Sequence, residues 1–127
     1  MDQRHQHMKE DRRRQRENSQ ERLSQQKEIL EYVNEHIFDP NMCQNMLAEH
    51  FQISVYSVSR ICKDLFGVGF TEYVNIKRLT LAKELLATDL PIAEIAVRVG
   101  ITDANYLGRL FKRTYGMTPS EYRRSLK

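Results

Sequence analysis

Arg60-Ile61-Cys62-Lys63-Asp64-Leu65-Phe66-Gly67 is followed, 49 residues later, by Arg109-Leu110-Phe111-Lys112-Arg113-Thr114-Tyr115-Gly116. The correspondence continues at the same offset in Thr71-Glu72-Tyr73 and Ser120-Glu121-Tyr122. Upstream, Leu47-Ala48 matches Ile95-Ala96 at an offset of 48, so the second copy carries one extra residue in its turn. A repeat of this length signals one structural unit used twice. Each unit reads as a short helix, a tight turn, and a second helix closed by an aromatic residue and a glycine.

The two second helices agree face by face. At 100° per residue, Val58, Ile61, Cys62 and Leu65 form one apolar stripe, and Leu107, Leu110, Phe111 and Thr114 fall at the same angles. The opposite faces hold Tyr56, Ser59, Arg60 and Lys63 in the first copy and Asn105, Gly108, Arg109 and Lys112 in the second. A solvated face ordinarily mixes both signs of charge. An arginine and a lysine at i and i+3 in both copies points instead to an anionic partner. Short helix, turn and cationic second helix is the helix-turn-helix arrangement, in which the second helix enters the major groove of DNA. Ala48 and Ala96 suit the crowded crossing of the two helices, and Ser54 and Asp103 suit their N-caps.

Around the repeat, the sequence predicts three further helices. Ile29, Leu30, Val33 and Ile37 predict an amphipathic helix over about 24–37, stopped by Asp39-Pro40. The first helix-turn-helix is expected at about 44–66 and the second at about 92–115. Between them Phe70 to Ala87 runs 18 residues without a breaker, ~27 Å of helix at ~1.5 Å per residue. Phe70, Val74, Leu81 and Leu85 form one of its stripes, and Leu79, Ala82 and Leu86 another about 120° round. A helix apolar on two faces is expected to be buried between two bodies. Thr118-Pro119-Ser120-Glu121 has the form of a capping box, opening a last helix over about 119–126. The expected fold is all-α, with about seven helices and two helix-turn-helix subdomains on a long linker helix.

Composition sets the outer limits. With 127 residues, the chain can form one compact domain or two very small ones, but no large enzyme with separate cofactor and substrate domains. Five glycines and three prolines are few for a turn-rich β fold. No apolar run approaches the ~18 residues of a membrane span, and no signal-peptide core follows Met1. Cys43 and Cys62 lack metal-ligand spacing and read as reduced, semi-buried thiols. His36 and His50 fall in different helices without a nucleophile or metal pattern, so neither suggests catalysis. The expectation is no enzyme, no metal and no cofactor.

The net charge of +3 is uninformative as a total. By position it becomes +2 over residues 1–23, −4 over 24–59, +1 over 60–99 and +4 over 100–127. Residues 1–23 hold only Met1, Met8 and Leu23 as large apolar side chains, too few to order an independent unit, and read as a charged, flexible or helical arm. The acidic stretch leaves a second reading open, a helical protein-interaction module with no DNA role.

Taken in order, a longer set of residues resembles the DNA-binding domain of AraC/XylS-type transcription regulators over residues 24–127. The set is Leu47-Ala48, Ser54, Val58-Ser59-Arg60 with Lys63, Gly67, Phe70-Thr71-Glu72-Tyr73, Arg78, Ala82, Leu85-Leu86, Ile92, Ile95-Ala96, Gly100, Asp103, Tyr106, Arg109-Leu110-Phe111-Lys112 and Gly116 to Arg123. The resemblance implies sequence-specific binding of double-stranded DNA, control of transcription in the bacterial cytoplasm, contact with RNA polymerase, and a sensing or dimerisation domain upstream in a longer protein. It implies base-edge contacts from Tyr56, Ser59 and Arg60 in the first unit and from Ala104, Asn105, Gly108 and Arg109 in the second. Ser54, Lys63 and Lys112 are placed for phosphates. Arg60 and Arg109 suit guanine, and Asn105 adenine, by bidentate geometry. Arg78 is expected to pair with an acidic residue beside the linker helix. Ala104 and Gly108 leave the second unit short of reading side chains, so the first is expected to carry more base discrimination. Cys62 stands where Phe111 does in the second copy, so the two cores are expected to pack differently.

Overall fold

The computed structural model describes residues 20–127, and these form seven helices with no strand among the described residues. They are α1 (from 20 to 35), α2 (Gln44–Phe51), α3 (Val55–Phe66), α4 (Phe70–Leu85), α5 (Ile92–Arg98), α6 (Ala104–Tyr115) and α7 (Pro119–Ser125). The fold is all-α, as the sequence indicates. Expectations for residues 1–19 lie outside the described residues. Residues 20–23, read from sequence as arm, already belong to α1.

α1 ends at 35, two residues before the predicted stop. The His36 amide is shared between the carbonyls of Tyr32 and Val33, and Asp39 N donates to His36 O, so the chain tightens into a turn. The Asp39 carboxylate then accepts from Asn41 N at 2.9 Å, fixing the turn around Pro40. Ile37 still reaches the core from this turn, 6% exposed.

Two hydrophobic cores form. One gathers Ile29, Val33 and Ile37 with Leu47, Val58, Ile61, Cys62, Phe70 and Val74. The other gathers Leu79, Ala82 and Leu86 with Ile95, Val99, Leu107, Leu110 and Phe111. α4 is therefore divided along its length. Its first half closes the first unit and its second half opens the second. The predicted partition by face fails for Leu81 and Leu85, which pack on the second core rather than beside Phe70 and Val74. The reason is that each unit needs a helix at both ends. The last half of α4 serves the second unit as α1 serves the first, with Ala82 and Leu86 standing 49 residues after Val33 and Ile37.

The core difference caused by Cys62 is visible in the aromatic pairs. In the first unit Phe66 stacks directly on Tyr73, ring centroids 3.8 Å apart and nearly parallel. In the second, Phe111 packs edgewise on both Tyr115 at 4.7 Å and Tyr122 at 5.6 Å. The bulk of Phe111 takes up space that the small thiol of Cys62 leaves to its neighbours. Thr114, assigned to the apolar stripe by its angle, is exposed.

The cysteines also differ from expectation. Both are free, but Cys43 is exposed at the N-cap of α2 and Cys62 is fully buried, so neither is semi-buried. Burial pushes the Cys62 thiol up to about 11. No helix among the described residues is long and apolar enough to cross a membrane.

Candidate nucleic-acid interface

The turns before α3 and α6 are built alike. In the first, Ile53 N donates to Ala48 O at 3.0 Å; in the second, Ile101 N donates to Ala96 O at 2.8 Å. Both turns need a left-handed residue. Gln52 supplies it at φ 55 and Gly100 at φ 88. The extra residue of the second copy is Thr102, between this hydrogen bond and the N-cap of α6.

Caps then fix where each second helix begins. Ser54 Oγ accepts from Ser57 N at 3.0 Å, and Asp103 Oδ1 accepts from Asn105 N at 2.9 Å. Both helices end on left-handed glycines, Gly67 and Gly116, whose amides donate to Lys63 O and Lys112 O. Ala48 and Ala96 are buried at the helix crossings. Start, stop and packing angle of each second helix are thus set by local chemistry.

The outward faces follow. On α3, Tyr56 is 77% exposed, and Ser59, Arg60 and Lys63 are exposed, as is Ser54 at the cap. On α6, Asn105, Arg109 and Lys112 are exposed, while Ala104 and Gly108 are half-buried. Nothing lies within 4 Å of where a β-carbon on Gly108 would sit, so the backbone there is open. The Arg109 guanidinium rests 5.8 Å from the Tyr106 ring, a loose cation–π contact that aims it across the face. Tyr56, Ser59, Arg60 and Lys63 therefore share one solvent-facing surface, and Asn105, Arg109 and Lys112 share another.

Two features escape a reading of the repeat alone. Tyr106, 43% exposed, has the Arg109 guanidinium over its ring and lines clefts together with Arg78 of the linker helix. The first turns of α1 border α3, where Glu21, Arg22, Gln25 and Gln26 line a groove with Arg60, Ile61 and Asp64. The signal for it in the sequence is the basic run Arg12 to Arg16 just upstream, which reads either as an arm reaching nucleic acid or as a solvated extension.

Arg78 does not form the expected pair with a carboxylate. Its Nε donates to Ile37 O at 2.9 Å and its Nη2 to Asp39 O at 2.8 Å, both backbone carbonyls. The carbonyls of the turn after α1 point inward at the guanidinium, while the Asp39 side chain is occupied by Asn41 N. Burial lowers the Arg78 pKa, opposed by the field of Asp39. His36 and His50 flank the Tyr32 ring at 4.4 and 4.3 Å, His36 half-buried and His50 exposed. No group of three His, Cys, Asp or Glu residues suited to a metal occurs among the described residues.

Two capped helices, each behind a tight turn and each presenting polar and cationic side chains, define a double helix-turn-helix protein. A family model described as a helix-turn-helix domain matches residues 47–125. The regulatory protein PocR of Salmonella typhimurium is 35% identical over 104 residues, 81% of this chain and 34% of PocR. The arabinose operon regulatory protein of Escherichia coli is 32% identical over 98 residues, 76% of this chain and 34% of that protein. The DNA-binding domain of AdpA, solved in complex with a target DNA, superposes with a TM-score of 0.71 at 25% identity, covering 79% of this chain and 90% of that one. The chain belongs to the AraC/XylS-type family of transcription regulators, through its DNA-binding double helix-turn-helix domain. It spans about a third of the length of the curated relatives it matches.

Proposed function

We propose that this chain binds double-stranded DNA sequence-specifically, placing α3 and α6 in adjacent major grooves, and regulates transcription. The observation that carries the reading is the duplicated recognition face: two helices with matched caps and turns, each exposing an arginine and a lysine three residues apart. In this reading Tyr56, Ser59 and Arg60 read base edges from the first unit, and Ala104, Asn105, Gly108 and Arg109 from the second. Ser54, Lys63 and Lys112 meet phosphates and set the register. The protein acts by binding and performs no catalysis.

α4 spans 16 residues, ~24 Å, against ~34 Å between successive grooves on one face of DNA. Either the recognition helices diverge from its ends or the duplex bends, at a cost on the order of 1–6 kcal/mol. The acidic α1–α2 face points to a protein rather than to DNA, and RNA polymerase is the partner proposed for it. A sensing or dimerisation domain elsewhere in a longer cytoplasmic protein completes the proposal. The same acidic face is what favours the second reading, a protein-interaction module without DNA.

Titrating the chain against random-sequence duplex across a salt series separates the two. The DNA reading predicts binding whose affinity falls steeply and log-linearly with salt. Absence of binding at low salt, or binding indifferent to salt, overturns it.

A further inference from the structure

Arg78 lies at the point in α4 where the apolar contacts pass from the first core to the second, after Val74 and before Leu79. It is 9% exposed, the single buried charged side chain among the described residues. Its two hydrogen bonds run to the turn after α1, which belongs to the first unit. Against both that turn and the guanidinium lies the Gly100 turn of the second unit. A β-carbon on Gly100 would sit 3.2 Å from Arg78 Nε and 2.6 Å from Phe38 O. The glycine is required twice over, by its φ of +88° and by this contact. The Gly100 turn therefore meets both the turn after α1 and the guanidinium that holds it, with no room for another methyl group. Tyr106 of α6 lines two clefts together with Arg78, and Arg109 rests over its ring. Arg123 makes the comparable bonds in the second unit, to Leu86 O and Leu90 O. Those stay within the unit, whereas Arg78 joins one unit to the other.

We propose that Arg78 is a positioning residue for DNA recognition: by holding the turn after α1 against the Gly100 turn, it fixes the separation and angle of α3 and α6, and so the half-site spacing the protein accepts. The inference rests on the DNA-binding reading above. It adds that the two units act as one rigid ruler rather than as two tethered binders. A rigid connection concentrates the second unit at one spacing, while a loose one tolerates several at lower affinity. Arginine suits the role because its planar fork meets two carbonyls at once, where lysine offers a single ammonium.

The test uses Arg78→Lys, with Arg78→Met as the stronger lesion and circular dichroism as the check on folding. Spin labels on exposed positions of α3 and α6, Asp64→Cys and Arg113→Cys, report the inter-helix distance in a Cys43→Ser background, with buried Cys62 left in place. The wild-type arrangement gives a narrow distance distribution, and both Arg78 variants broaden it. If Arg78→Met does not fold, Arg78→Lys decides. On duplexes obtained by site selection, a one-base-pair insertion between half-sites costs the parent chain about tenfold in affinity. In Arg78→Lys this penalty shrinks severalfold while single-half-site affinity is retained. An unchanged distance distribution, or a spacing penalty as large as the parent's, overturns the proposal. If the parent chain binds no duplex, the DNA reading falls alone and the distance measurement still decides the role of Arg78.

Discussion

Arg60 and Lys63 stand three residues apart on one exposed face, yet their loss should be felt differently. A guanidinium bidentate to guanine carries sequence information, so Arg60→Ala should cost ~1–3 kcal/mol on the preferred site and relax specificity at one position. An ammonium on a phosphate carries none. Lys63→Ala should weaken all duplexes alike and reduce the salt slope by about 1. Equilibrium binding to matched and singly mismatched duplexes separates these outcomes. Equal losses on every duplex for both variants would deny Arg60 its reading role. The cysteines give an independent residue-scale test. A thiol reagent should modify one cysteine per folded chain, Cys43, and two after unfolding. Below pH ~9 the Cys62 thiol is neutral in both states and adds no pH dependence. Between the unfolded value of 9.0 and about 11 the unfolded chain loses the proton while the folded one keeps it. Stability therefore falls as pH rises through that window, and Cys62→Ala should flatten this part of the profile. Sequence alone could not tell the two thiols apart. Both sit in helical patterns, and the structure separates them: Cys62 lies on the apolar stripe that enters the first core, while Cys43 falls at the exposed N-cap of α2.

At the scale of the element, caps and turns were the most legible features because they rest on local chemistry. Ser54, Asp103 and Thr118 each accept the backbone bond their position implies. The capping box at Thr118 differs in one arm, since Glu121 takes a hydrogen bond from the Thr118 hydroxyl. Ser54→Ala should destabilise the chain by ~1 kcal/mol in thermal or denaturant unfolding. Gly108 offers the opposite case. A methyl group there meets nothing and its φ is ordinary, so Gly108→Ala should raise stability by ~1 kcal/mol. If α6 approaches DNA by its backbone, the same variant should bind less tightly. A more stable protein that binds unchanged would remove Gly108 from the interface. What sequence could not show at this scale depended on tertiary competition. α4 reads as a helix with two apolar faces, but its role as the last helix of one unit and the first of the next appears only when both cores are seen. The turn after α1 shows the same dependence, because its carbonyls at 37 and 39 are taken by Arg78, 41 and 39 residues further along the chain.

For the whole molecule, the repeat explains both the symmetry and its limits. Each unit is closed by an aromatic cluster, one alanine at the crossing and one left-handed turn residue, and the two meet at Arg78 and Gly100. The charge runs from an acidic α1–α2 to a basic C-terminal third, so the duplex is expected along α3, α6 and the C-terminal end. With α4 shorter than the groove repeat, fluorescence energy transfer across a selected duplex should report bending on binding; a straight duplex would require the recognition helices to splay outward instead. The most direct test of the central claim is selection of binding sites from random-sequence duplex, scored by position. Two enriched blocks are predicted with centres about 10 base pairs apart, the block under the first unit carrying the stronger base preference. A single block, blocks at variable distance, or no enrichment over the starting pool would contradict a chain that reads DNA with two recognition helices.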